Sequence, residues 1–219
     1  MNKSFYFFVL LLLCSGCISL FPPPPPRPQN VPLELTYQKF SDIKTVAWSL
    51  AIEKPLTSPS LDSKRMIVHL KSPGQISDLQ PLEGVEWPDR LPSLVQQKMI
   101  SAFEYSDKIL AVGHTDEDFY ADYALQIDLK KAEIDLTTDN HQACFEISAK
   151  LIRQKDRQII ARQTFYQTKD TTASSQKDFV DAYSRALENI IHQITAWTLK
   201  TGINIPKDEP KSSQISDQI

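Results

Sequence analysis

Four histidines and three cysteines are the side chains of this 219-residue chain best suited to hold a metal or act as a nucleophile. The densest run of ligating types is His114-Thr115-Asp116-Glu117-Asp118, an imidazole beside clustered carboxylates. Oxygen donors of this kind suit a divalent cation. Neighbours on one loop rarely all turn toward one ion, so the run reads as a solvated polar loop and no metal site is expected. His69, His141 and His192 stand apart from one another, without the H-E-x-x-H spacing of a zinc hydrolase. His69 alternates out of a strand pattern. His192 falls on the polar side of a helix pattern, as a surface residue would. Asp62-Ser63 and Ser174-Ser175 lie between elements, and no G-x-S-x-G elbow is present. There is no Walker A sequence, and only five glycines are available for phosphate-cradling loops. The expectation is a chain that is not an enzyme, with no catalytic residue, metal or cofactor. The weaker alternative is a periplasmic enzyme using the His114 loop.

The cysteines point to different chemistry. The chain opens MNKSFYFFVLLLLCSGC: Lys3, an apolar run from Phe5 to Leu13, then Cys14-Ser15-Gly16-Cys17. A basic start, a short apolar core and a small-residue exit mark a secretory signal. The run is too short to span a bilayer, which takes about 20 residues. The exit resembles the bacterial lipobox, in which cleavage falls just before a cysteine whose sulfur carries diacylglycerol. Cys17 is therefore the expected lipidation site and the expected hold on a membrane. Two or more acyl chains, each buried CH₂ contributing about 0.8 kcal/mol, keep a protein there stably. Ile18 and Ser19 follow in place of the acidic residue that favours inner-membrane retention, so the outer membrane is expected. Cys14 leaves with the signal, Cys17 is acylated, and Cys144 remains as a buried thiol without an internal disulfide.

Next comes Pro22 to Pro26, then Pro28. Such a run favours polyproline II, an extended form rising about 3.1 Å per residue. It reads as a stiff spacer lifting the folded part off the lipid. The boundaries expected are 1–16 signal peptide, 17–40 lipidated cysteine and tether, 41–202 one folded domain, and 203–219 a polar tail. The formal net charge of −3 and the lack of a basic helix or patch exclude nucleic acid as a partner.

Periodicity supplies the elements. IKTVAWSLAIE alternates, with Val46, Trp48, Leu50 and Ile52 on one face; a second strand covers about Arg65 to Leu70. A helix is predicted over 90–105, then a short strand at 109–112. ADYALQIDLKKAEIDLT is a long strand. ACFEISAKLI and QIIARQTFYQT form an antiparallel hairpin joined by Gln154 to Arg157. The last element is a strong amphipathic helix carrying Phe179, Tyr183, Ala186, Leu187, Ile190, Ile194 and Trp197 at spacings of three and four, with Gly202 as its stop. The order β-β-α-β-β-β-β-α predicts an α+β fold: a mixed, largely antiparallel sheet with two amphipathic helices packed on one face. Before the first helix, Trp87-Pro88-Asp89-Arg90 reads chiefly as a hydrophobic staple with helix capping. Trp87, Asp89 and Arg90 are also the candidate partner-contact corner.

WSLAIEKP, LDSKRMIVHLKSPGQI, WPDRLPSLVQQKMISAFEYSDKILAVG, ADYALQIDLKKAEID, AKLIRQKDRQIIARQTF and ALENIIHQITAWTL occur in this order downstream of the lipobox. The set resembles the ABC-type transport auxiliary lipoprotein component family. The resemblance implies a periplasmic component, tethered to the outer membrane, of a system that moves lipids or other hydrophobic solutes. Its implied partners are an ABC permease, its ATPase and an inner-membrane protein with a mammalian-cell-entry (MCE) domain, and a homo-oligomer is a further candidate. It implies no catalytic residues. Docking is the task expected. The alternative is a lipid carrier whose apolar pocket between helices and sheet is lined by Trp48, Phe103, Phe145 and Trp197.

Overall fold

The computed structural model of the chain describes residues 27–71, 77–116 and 119–203. The expected signal peptide, Cys17, the five consecutive prolines and all but the first residue of the tail lie outside them. The strands are β1 (Gln29–Asn30), β2 (Ser49–Ile52), β3 (Leu56–Thr57), β4 (Arg65–Leu70), β5 (Asp78–Glu86), β6 (Ala111–His114), β7 (Tyr123–Asp135), β8 (Gln142–Arg153) and β9 (Ile159–Asp170). The helices are α1 (Leu91–Ser106) and α2 (Gln176–Ile203). This is the α+β fold that the residue pattern predicts.

β7 is the spine. One edge pairs antiparallel with β8 along its whole length, and β8 pairs antiparallel with β9. The other edge is shared by three segments in turn: β2 beside Tyr123 to Leu125, β3 beside Asp128 and Leu129, and β4 beside Glu133 to Asp135, all parallel. Beyond them lie β6 next to β2, and β5 then β1 next to β4. The long ladders are antiparallel and the parallel ones short, because residues 49–70 descend β7 in steps broken by Pro55 and Pro59.

The core lies between this sheet and the helices. Leu125, Ile127 and Leu129 of β7 and Ile147, Ala149 and Leu151 of β8 are fully buried. A bulge between Leu129 and Lys131 shifts the alternation, so the core face continues through Ala132 and Ile134. Fully burying one such side chain contributes about 1.5–3 kcal/mol. α2 adds Tyr183, Ala186, Leu187, Ile190 and Ile194 at helical spacing, all at 0% exposure. Its first turn is capped by Ser175, whose Oγ accepts from Asp178 N at 3.2 Å, while the Asp178 carboxylate accepts from the Ser175 and Thr172 hydroxyls. The hairpin between β8 and β9 turns at Arg157, in the left-handed region at φ 58, with Arg153 N donating to Gln158 O.

Two features depart from the residue pattern. β5, DLQPLEGVE, is a nine-residue strand that contains Pro81 and Gly84 and is mostly exposed. It forms because β4 pairs antiparallel with residues 78–81 and again with Glu86, across an irregularity that leaves 82–85 out of register, and Gly84 supplies a φ of 75 that an L side chain rarely adopts. Residues 27–40, read as part of an extended tether, lie on the domain: β1 pairs with Val85 and Glu86, and Leu33 and Phe40 are buried.

Candidate functional site

The corner before α1 is built by residues 62–64. Trp87 N donates to Lys64 O at 2.6 Å and Leu91 N to Ser63 O at 3.0 Å, while Lys64 Nζ donates to Pro88 O at 3.1 Å. Arg90 Nη1 reaches both Asp62 O at 2.8 Å and Asp62 Oδ2 at 2.9 Å. Arg90 is the N-cap and has no side-chain capping bond; Asp89 Oδ1 instead accepts from the adjacent Arg90 N. The expected Asp cap is therefore replaced by a clip onto the 62–64 segment.

Trp87 corrects the partner-contact expectation. It is fully buried, its ring 5.2 Å from that of Tyr183, which lies 4.6 Å from Phe145. A side chain at 0% exposure in this stack cannot be touched by a partner. Asp89 and Arg90 are exposed and remain available. The three rings fill the space between helices and sheet at this level, where an apolar ligand pocket was the alternative. Burial pushes the Tyr183 hydroxyl strongly upward, so it stays neutral.

The second element is the strap formed by residues 27–48. Thr36 N donates to Glu188 Oε2 at 2.8 Å, and the Phe40 ring stacks on His192 at 4.5 Å and 17°. Lys200 Nζ lies 3.4 Å from Asp42 Oδ2, and Val46 N closes on Lys108 O at 2.9 Å. Leu33, Phe40, Ile43 and Val46 are all buried. The strap therefore runs up α2 in the direction of the helix and then enters β2. His192 is not a free surface residue: its ring is the platform for Phe40. The cleft beneath, lined by Tyr37, Phe40, Ala102, Ile191, His192 and Thr195, is closed down to the size of roughly one water. A larger groove of about 800 Å³ lies open between the strap and α2, but its lining includes Glu34, Lys169, Asp181, Arg185 and Glu188.

His69, which alternates out of β4, is tied into the outer face of the sheet. Its Nδ1 lies 3.1 Å from Glu133 Oε1 and its Nε2 2.7 Å from Ser77 Oγ. Lys131 Nζ contacts the same Glu133 oxygen at 3.0 Å. Burial opposes the charge on Lys131, yet the bond to Glu133 holds its pKa above the usual lysine value. Glu133 is 5% exposed, so this polar knot on the outer side of the sheet is structural. Beside it, burial pushes the Cys144 thiol up, as for an inert buried cysteine. Among the described residues no cluster of three His, Cys, Asp or Glu side chains could hold a metal. His114 and Asp116 are described; Glu117 and Asp118 are not.

No pattern in the sequence marks the strap contacts. Thr36, Phe40 and Asp42 carry no clean period, and their partners lie over 150 residues away in the chain. Among the described residues no helix is long and apolar enough to cross a membrane.

Comparison with known proteins adds three findings. The sequence pattern of the family described as "ABC-type transport auxiliary lipoprotein component" matches residues 36–195. An uncharacterised protein of Bradyrhizobium diazoefficiens is 26% identical over 156 residues, which is 71% of this chain and 41% of that relative. The chain thus spans well under half the length of that curated relative. Among solved structures, a Xanthomonas campestris protein assigned to DUF330 superposes with a TM-score of 0.73 at 27% identity, covering 80% of this chain and 97% of that one. A hypothetical protein of Chlamydia trachomatis shares the fold alone, with a TM-score of 0.50 at 8% identity over 72% of this chain and 98% of that one.

Proposed function

Since the chain belongs to the ABC-type transport auxiliary lipoprotein component family, we propose that it is the lipid-anchored, non-enzymatic docking component of an MCE-type ABC transport system. In this reading Cys17 carries the acyl chains that hold it on the periplasmic face of the outer membrane. The domain meets an inner-membrane MCE-domain protein and its ABC permease and ATPase, and the system moves lipids or other hydrophobic solutes between the membranes. Energy comes from the ATPase; this chain supplies position.

The observation that carries the reading is the strap. Tension arriving from the N-terminal side meets buried Leu33 and Phe40 and the bonds from Thr36 and Asp42 to α2. The load is then shared along the longest helix, as a tethered docking domain requires. The stacked Trp87, Tyr183 and Phe145 give no support to a carrier pocket between helices and sheet.

The test uses the full chain in its own envelope. Cys17→Ser is expected to abolish acylation and release the protein from the membrane, with loss of complementation of a deletion. Affinity isolation of the lipidated protein from detergent-solubilised envelope should recover an MCE-domain protein. A Cys17→Ser variant that stays membrane-bound and complements would overturn the anchoring. An eluate without the MCE protein would overturn the docking.

A further inference from the structure

β9 is an edge strand of twelve residues that pairs only with β8 among the described residues. The bond from Thr171 N to His141 O fixes the phase of that ladder. Counting back by twos through the register, residues 161, 163, 165, 167 and 169 turn their N–H and C=O toward β8. Residues 162, 164, 166, 168 and 170 therefore turn theirs outward. From Ala161 to Asp170 the ladder has no bulge, and the strand contains no proline. Edges this long are normally blunted by such devices or by charged side chains, and here only charges of both signs, Arg162, Lys169 and Asp170, are present. Tyr166, at 67% exposure, stands in its middle.

Two of the three charges along this edge, Arg162 and Asp170, are self-complementary, and the third, Lys169, would face the neutral Gln163. Arg162 lies directly across from Lys150 on β8, a like-charge pair on the outer face of the sheet. Lys150 donates to the neutral Gln126 amide, and Arg162 has no ion pair among the described residues. Asp170 lies across from Gln142 and, among the described residues, accepts only from Asn140 Nδ2 at 3.1 Å. If a second β9 lies antiparallel about a two-fold axis at Tyr166, each Arg162 meets the other copy's Asp170. Thr164 then meets Thr168, and Tyr166 meets Tyr166. All five positions present outward backbone groups, so the pairing satisfies the ladder as well as the side chains. Of the two-fold registers, only this one sets Arg162 against Asp170.

We propose that the β9 edge is a self-association surface, on which two copies join antiparallel through residues 162–170 and make one continuous sheet. The partner is a second copy of this chain. This proposal is independent of the anchoring reading: it stands on the edge and its charges.

Disulfide trapping in the full-length, membrane-borne protein tests it. Facing residues of a hydrogen-bonded antiparallel pair have Cα atoms about 5.5 Å apart, within disulfide reach. Tyr166→Cys alone should give a covalent dimer under mild oxidation. Thr164→Cys alone and Thr168→Cys alone should not, whereas the two co-expressed should. In the Tyr166→Cys background, Arg162→Asp sets like charges together on both sides of the axis, and trapping should fall about tenfold. Adding Asp170→Arg should restore it. That recovery also shows that the first loss was not misfolding. Absence of a covalent dimer would overturn the proposal. So would equal trapping at 164 and 166, failure of the charge swap to rescue, or attachment of Tyr166→Cys to a different protein.

Discussion

The indole of Trp48 packs directly against Gly202: a Cβ built on that glycine would sit 2.1 Å from Trp48 Cζ2 and 2.6 Å from Cε2. The strap and the last turn of α2 are thus in contact only because one of them lacks a side chain. Gly202→Ala forces the indole or the helix end to move. The expected cost is about 1–3 kcal/mol, as for overpacking a filled site, read as a lower urea midpoint at unchanged m-value. A variant as stable as the parent would show that the two elements separate freely.

Trp87 and Asp89 are two residues apart and should behave oppositely. Trp87→Ala removes a fully buried ring stacked on Tyr183 and should cost about 3–5 kcal/mol. Asp89→Ala is expected within about 0.5 kcal/mol of the parent, since the side chain is exposed. Thermal melting of both variants checks this. If the corner touches a transport partner, Asp89→Ala or Arg90→Ala weakens that contact in folded protein.

Phe40→Ala takes a buried ring from the His192 platform. The strap should open locally before the sheet unfolds. Amide hydrogen exchange is expected to quicken at 33–46 while β7 and β8 keep their protection. Uniform quickening across the domain would mean that the strap belongs to the global unit.

Asp178 sets the acid behaviour of the start of α2. Bonds from Ser175, then from Thr172, hold its carboxyl below the usual aspartate value. A depressed folded pKa contributes stability above the unfolded value of about 3.9, and that contribution disappears as pH falls through the lower folded value. Protection of residues 175–179, taken relative to the intrinsic exchange rate at each pH, should therefore fall once pH drops below about 4. Asp178→Asn should show the lower protection already at neutral pH and little further loss on acidification. A parent whose first turn is as well protected in acid as at neutral pH would contradict the assignment.

Where a side chain repeats at two or at three and four, the sequence shows its fate. Tyr123, Leu125, Ile127 and Leu129 all face the core as their alternation requires, and Tyr183 to Ile194 form the buried stripe of α2. The hairpin at residues 154–157 and the buried thiol of Cys144 were equally legible. β5 was not: Pro81 and Gly84 argue against a strand, and only β4 alongside overrides them. The bulge after Leu129 breaks the period that would otherwise predict which side of β7 faces inward, and so hides the burial of Glu133.

By itself the sequence determined the fold class, the family and the expectation of an acylated Cys17, because each is carried by local order: a period, a run of phrases, a small-small-cysteine exit. Only the tertiary structure decided that Trp87 is core, that Phe40 is seated on His192, and that Arg162 and Asp170 mark the open rim of the sheet. Each of those depends on a neighbour distant along the chain or on an edge left without one among the described residues, and no local pattern encodes which surfaces folding will cover.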